Sequence, residues 1–331
     1  MRKQCSRRLS WWRTLLGAAI AAAAAASPAP VAACDSSCCL ILTRGQAGLL
    51  RKGGFQIELS YRTTDMSARR SGRDATDAVV RPKVLLEEGR LIPGYHEDLD
   101  GTDSFLQVDA AYGLLATTTL FASMPVVSHR TYQIEHGGYQ SGYNVRGIGD
   151  LLLGARQKLA GGPRRSLVAS VGVKLPTGAD DVIDDYDTTI LDPTLQPGTG
   201  SGDVNASLGW TSVGPGRTEI GLYGSYQINT TNDFDYRFGN LAIAAATVSR
   251  PARGFVPSLQ LKLVRQGRNT FVGETVPSTG ATTVYANGGL RYRTAEGLSL
   301  YTHVLVPVYR HVEDAQLAPR YSVLVGFSKA F

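Results

Sequence analysis

Three groups of residues in this chain have the types and spacing to do chemistry. The first is "CDSSCC", which places Cys34, Cys38 and Cys39 within six residues. Thiolates that close can hold a soft metal such as Cu(I) or Zn²⁺. They can also form a disulfide in an oxidising compartment, and "VAAC" before them makes Cys34 a candidate lipid attachment site. Three sulfurs with no histidine nearby fall short of a four-ligand zinc site. The second group is "ADDVIDDYDTTILD", with Asp180, Asp181, Asp184, Asp185, Asp187 and Asp192. Carboxylates at that density suit Ca²⁺, but the turn glycine and closing glutamate of a calcium loop are missing, so a solvated loop is the expectation. The third is a scatter of charged residues at alternate positions in apolar segments: Glu58, Arg62, Asp109, Asp150, Arg156, Lys158, Lys174, Asp203, Glu219, Lys262, Arg291 and His303. On one wall these could line a wet path for a small solute, with Gln107, Asn205, Gln227, Gln260 and Asn287 among them.

The elements that must position this third group are strands. "FQIELSYRT" sets Phe55, Ile57, Leu59 and Tyr61 against Gln56, Glu58, Ser60 and Arg62, the period of two that divides a strand into a greasy and a wet side. "LQVDAAYGL", "SLVASVGVKL" and "DVNASLGW" repeat it. Twelve such segments are expected, near 54–63, 104–114, 117–127, 149–159, 166–176, 202–211, 217–228, 238–249, 255–265, 283–293, 298–309 and 319–331. The third and eighth carry the weakest alternation, and "LAIAAATVS" within the eighth also reads as helix. Short links such as "AGGPRR" and "TAEG" alternate with long ones, among them about forty residues after the first segment, 177–201 and "HVEDAQLA" after the eleventh. A meander with one tight end and one loopy end has this form.

Such a meander of about twelve strands implies an all-β fold, a transmembrane antiparallel up-and-down barrel. In hydrocarbon every backbone amide needs a partner, so the sheet must close on itself. The soluble alternative, with the greasy sides turned inward, has the same alternation. Three features separate them. The start, "MRKQCSRRLSWWRTLLGAAIAAAAAASPAPVAA", has a basic head, an apolar run and small residues, the layout of a secretory signal over 1–33 with cleavage after Ala33. Loops at one end are much longer than at the other. The chain finishes on "YSVLVGFSKAF", with Tyr321, Val323, Val325, Phe327 and Phe331 on one side. That ending resembles the signal read by the machinery that inserts outer-membrane barrels. The expected organisation is 1–33 signal, 34–53 periplasmic segment and 54–331 barrel.

The full chain of 331 residues carries a formal charge of +6. Five basic residues and no acidic ones lie in 1–33, so the charge falls to +1 once that segment is removed. The composition therefore makes no case for a nucleic-acid partner. The expected partners are outer-membrane lipids, lipopolysaccharide, the barrel-assembly machinery acting on the strand that ends at Phe331, and a small-molecule solute. No motif calls for a cofactor. An outer-membrane lipid hydrolase is a weaker alternative: His303 has Ser299 and Tyr301 at alternating positions, but no serine motif accompanies it.

"GDLLLGARQKL" (149–159), "GVKLPTG" (172–178) and "LQPGTGSGD" (195–203), in that order and spacing, resemble the phenol meta-pathway degradation family of outer-membrane proteins. The resemblance implies an outer-membrane transporter-like barrel and brings no catalytic residue with it. By physical reading, Asp150 points inward, Gly154 leaves room for a long neighbour such as Arg156 or Lys174, Pro176 ends a strand, and Gly178 supplies a turn. The expected role is a channel for small solutes, aromatic or hydrophobic ones among them, that cross by passive diffusion. The alternative is a non-conducting barrel that anchors, senses or binds a ligand.

Overall fold

The computed structural model describes residues 49–184, 188–294 and 296–331. Residues 1–33, expected to be a signal, and Cys34, Cys38, Cys39, Asp185 and Asp187 lie outside the described residues.

Twelve strands form the wall. They are β1 (Phe55–Asp65), β2 (Arg90–Leu115), β3 (Thr118–His136), β4 (Leu151–Gly161), β5 (Arg165–Leu175) and β6 (Asp203–Val213), followed by β7 (Glu219–Ile228), β8 (Leu241–Ser249), β9 (Phe255–Gln266), β10 (Ala281–Arg293), β11 (Leu298–Ala318) and β12 (Tyr321–Ala330). Each pairs antiparallel with its sequence neighbours. β1 pairs β2 on one side, Phe55 opposite Tyr112, and β12 on the other, Gln56 opposite Ala330. That last seam closes the sheet into a barrel and leaves no edge of the wall unpaired.

The alternation sorts as the period of two requires. Ile57, Leu153, Val171, Leu208, Leu222, Leu259, Leu261, Val304 and Val325 are exposed on the outer surface. Each is flanked by inward residues that are buried or half-buried, such as Gly172, Ser207, Gln260 and His303. Large apolar side chains on the outside of a closed barrel mark a surface meant for lipid. Aromatics gather at both ends of this band. Phe55 stacks on Phe331 with ring centroids 6.2 Å apart, and Phe255 packs on Tyr292 at 4.9 Å. Tyr321 stands at the opposite end, next to Asp65. From Tyr321 to Phe331 the chain covers about 33 Å. At a tilt of about 40° this spans about 25 Å, the height of an outer-membrane apolar band.

The "LAIAAATVS" segment is strand β8: Leu241 and Ile243 turn inward while Ala244 and Ala246 face out. Three strands run longer than the alternation suggests. β2, β3 and β11 extend well past the apolar band at the long-loop end. There both faces meet polar surroundings, as in "GYHEDLDGTD", and a period-two test has nothing to detect. "HVEDAQLA" is accordingly part of β11 and not a loop. The register breaks between Val312 and Ala315, where Asp314 takes a φ of 60°, and Ala315–Ala318 pair with the short strand Ala68–Gly72. Only Pro319 and Arg320 join β11 to β12, so the strict alternation of long and short links fails at the last one.

The remaining links at the loop end carry structure of their own. Val80–Leu85 pairs with the extension of β2, Tyr139–Gly147 with that of β3, and Tyr236–Arg237 joins Thr270–Phe271 and Glu274–Thr275 in a separate small sheet.

Candidate functional site: the inner wall and its cap

The three sequence motifs converge on one ion cluster. Lys174, at the loop end of β5, places its ammonium 3.0 Å from Asp150 and 2.7 Å from Asp203. All three side chains are buried. Asp150 precedes β4 and Asp203 begins β6, so the lysine ties three consecutive strands together. Asp150 also accepts from the backbone amides of Gly178 and Thr199, both at 3.0 Å, and Thr199 Oγ1 contacts it at 2.8 Å. Charges buried this deeply need every partner they have. The cluster thereby pins both ends of the 176–202 connection to the wall. The motif glycines serve the same fold-back. A Cβ on Gly178 would lie 2.8 Å from the Gly198 Cα, and one on Gly198 would lie 2.8 Å from the Gly178 Cα. Only glycine lets the two arms of this loop pass so closely.

All of the charged residues singled out from the alternation lie on the inner side of the register. They do not form one array. Glu58 and Asp109 face each other across β1 and β2. Tyr301 donates to Glu58 at 2.5 Å, and Gln107 donates to Asp109 and to Ser123 Oγ at 2.8 and 3.0 Å. Arg291 lies over the Tyr301 ring at 4.5 Å. Arg62 and Arg130 lie over the single ring of Phe105 at 5.1 and 5.7 Å. Asn287 donates to Gln260, which donates to Thr247. Lys262 is buried on β9, and Lys158 and Glu219 stand toward the short-turn end. His303 is buried on the inner wall, its ring 6.0 Å from that of Tyr301. A lipid hydrolase with its histidine on the barrel exterior would need the opposite face.

Large inner side chains lie along the wall because glycines on the next strand give them niches. A Cβ on Gly326 would sit 2.5 Å from the Tyr301 hydroxyl. Gly154 makes such a niche, but its occupant differs from the expected arginine or lysine. The Phe121 ring fills it, 2.5 Å from where a Cβ would be, and Arg156 lies on that ring at 4.4 Å. The cross-strand neighbour of Gly154 is Phe121, and an aromatic plane fits flat over a glycine where a flexible cation does not.

One apolar stretch of the inner wall leaves no mark in the alternation. Tyr223, Leu241 and Ile243 form a buried cluster with Ala245 and Val264, on β7, β8 and β9. On β8 apolar alternates with apolar, so no polar–apolar contrast marks the inner face there, although Gln227 marks it on β7 and Gln260 and Lys262 mark it on β9. In a ring of twelve, β7 stands opposite β1, and β8 opposite β2. The apolar stretch therefore faces the Glu58–Arg62–Asp109 side.

The loop end carries a cap with its own core. Val84 and Leu86 from the β1–β2 connection pack with Tyr236 and Phe238 from β7–β8 and with Phe271 and Val276 from β9–β10. Ile190 from β5–β6 joins them. Loops rooted on opposite sides of the ring can share one core only by reaching across its mouth. Tyr236 has no exposure and accepts a hydrogen bond from Asn269 at 2.7 Å, and burial pushes its phenol well up from the ordinary tyrosine range. Arg81 pairs with Asp98 at 3.5 Å and His96 contacts the same carboxylate at 3.1 Å. Burial pushes the Asp98 carboxyl up, but the Arg81 guanidinium and His96 outweigh it and leave the group below the ordinary aspartate value. Asp184, from the acidic run, contacts Lys83 at 3.9 Å and accepts from Tyr143. Asp192 accepts from the amide and hydroxyl of Thr194. Among the described residues no group of three or more histidine, cysteine or carboxylate side chains is placed to hold a metal ion.

Comparison with known proteins agrees with this geometry. The profile of a family described as "Putative MetA-pathway of phenol degradation" matches residues 99–315. The COG4313 outer membrane channel from Pseudomonas putida F1 superposes with a TM-score of 0.57 at 14% identity, covering 93% of this chain and 100% of that one. The β-domain of the Bordetella autotransporter BrkA gives 0.47 at 12% identity, covering 85% and 100%. A mutant of the TodX monoaromatic hydrocarbon channel gives 0.41 at 11%, covering 85% and 91%. No curated protein matches the chain. The family match and the superposition on the COG4313 channel agree with the barrel fold, and the protein's place is the cell outer membrane.

Proposed function

Since the chain belongs to the phenol MetA-pathway degradation family, we propose that it is an outer-membrane channel through which small hydrophobic or aromatic solutes diffuse down their gradient. The observation that carries this reading is the arrangement of the inner wall. Tyr301 and Phe121 lie against glycines of the neighbouring strands, Gly326 and Gly154, and so keep close to the wall. Glu58, Arg62, Asp109, Arg156, Arg291 and His303 line the path and set its preference. Lys174, Asp150 and Asp203 hold the 176–202 loop at its outer mouth, and Glu219 and Lys262 complete the wall. The neighbour of highest structural similarity reported above is itself described as an outer membrane channel. The strand ending at Phe331 serves as the insertion signal.

One observation favours the second reading, a barrel that binds or senses a ligand without conducting. The cap core bridges the outer mouth. Purified protein in planar bilayers separates the two. Discrete current steps are expected for the channel, and silence across a wide panel of solutes overturns it. Lipase assays on the same preparation are expected to give no turnover.

A further inference from the structure

The two sides of the inner wall differ in chemistry, and the difference points to a solute class. On the β1–β3 side, the Arg62 guanidinium lies over Phe105 with its Nε enclosed and no hydrogen-bond acceptor, and it makes no ion pair among the described residues. Arg130 approaches the same ring. A guanidinium partly stripped of water and unmatched by an acid is costly. A carboxylate or phenolate brought beside it would offset that cost, and a carboxylate fits the planar fork with two hydrogen bonds. Half a turn round the ring, Tyr223, Ile243 and Val264 form a packed apolar cluster on the inner side. The levels match: Arg62 stands three residues from the loop end of β1 and Ile243 two residues from the loop end of β8.

Resting on the channel reading, we propose that the preferred solute is a small amphipathic anion, a carboxylate or phenolate on an aromatic or hydrocarbon body. The anionic head lies at Arg62 beneath the cap, and the body lies against Ile243 and its neighbours. A neutral hydrocarbon gains nothing from Arg62, and an organic cation is repelled by it.

The test uses the full chain in planar bilayers carrying KCl current, with sodium benzoate, benzylammonium chloride or sodium formate added. Benzoate is expected to block at a concentration at least tenfold below benzylammonium. Arg62→Gln removes that tenfold preference and Arg62→Lys keeps most of it. Ile243→Thr weakens block by benzoate and leaves block by formate, which has no body, unchanged. Equal potency of benzoate and benzylammonium overturns the inference, as does an Arg62→Gln protein that keeps the preference, while a KCl current still upholds the channel. If the parent protein carries no current, the channel reading fails, and calorimetric titration of the detergent-solubilised protein with benzoate then decides this inference. Binding lost tenfold in Arg62→Gln supports it, and no binding sinks it. Each variant is first checked for the compact, heat-modifiable band of a folded barrel.

Discussion

Lys174 reaches Asp203 at 2.7 Å, at a point where neither side chain meets solvent. Removing the ammonium would leave Asp150 and Asp203 facing each other without a cation. Lys174→Met is expected to cost roughly 3–5 kcal/mol and to free the 176–202 connection from the wall. Limited proteolysis of the reconstituted protein checks this, with new cleavage between Pro176 and Gly202 as the expected result. Unchanged resistance would show that the loop is held by other contacts.

The niche at Gly326 gives a second prediction. Gly326→Ala puts a methyl group 2.5 Å from the Tyr301 hydroxyl and 2.8 Å from the Leu59 carbonyl. Tyr301 must swing into the lumen and lose its bond to Glu58. The expected result is a loss of about 1–3 kcal/mol in urea unfolding from detergent, together with a smaller unit conductance. Conductance at the parent level would mean that Tyr301 does not bound the path.

Acidification should loosen the cap. Asp98 titrates below its ordinary value, so its charged form favours the folded state. That contribution is complete above the unfolded value of about 3.9 and is lost as the pH falls through the lower, folded value. Protease sensitivity of the outer loops is therefore expected to stay flat from neutral pH to about 4 and to rise below it. In Asp98→Asn, the loops should be sensitive at neutral pH and should lose this acid step.

The lipid-facing wall has a separate test. Leu261 is exposed near the middle of β9. Leu261→Arg is expected to cost about 2–4 kcal/mol in refolding into vesicles. A soluble barrel with that face in water would show almost no change.

How much of this was legible beforehand depends on contrast between neighbouring positions. The strands around Ile57, Val171 and Leu208 are readable because each greasy residue alternates with a polar or small one. β8 was ambiguous because Leu241, Ala242, Ile243 and Ala244 offer no such contrast, and the apolar inner stretch was hidden for the same reason. The inward set from Glu58 to His303 could be listed from parity, but its pairings could not. Which ring fills the space at Gly154 depends on register with β3, and one residue of slip would have replaced Phe121 by a neighbour pointing to the other face. The convergence of Asp150, Lys174 and Asp203 had a signal, since all three lie in the recognised motifs, but nothing in their spacing said they would touch. The cap was invisible, because its core draws one or two residues from each of four loops.

That last arrangement has a consequence for biogenesis. Val84 lies far along the chain from Tyr236 and Phe271, and its anchoring strands are brought round to face theirs as the sheet curls and the seam between β1 and β12 shuts. Contacts of such long range form late. The portal should therefore stand open throughout insertion and become covered only as the final step, so that appearance of a protected cap reports completed assembly of the whole cylinder.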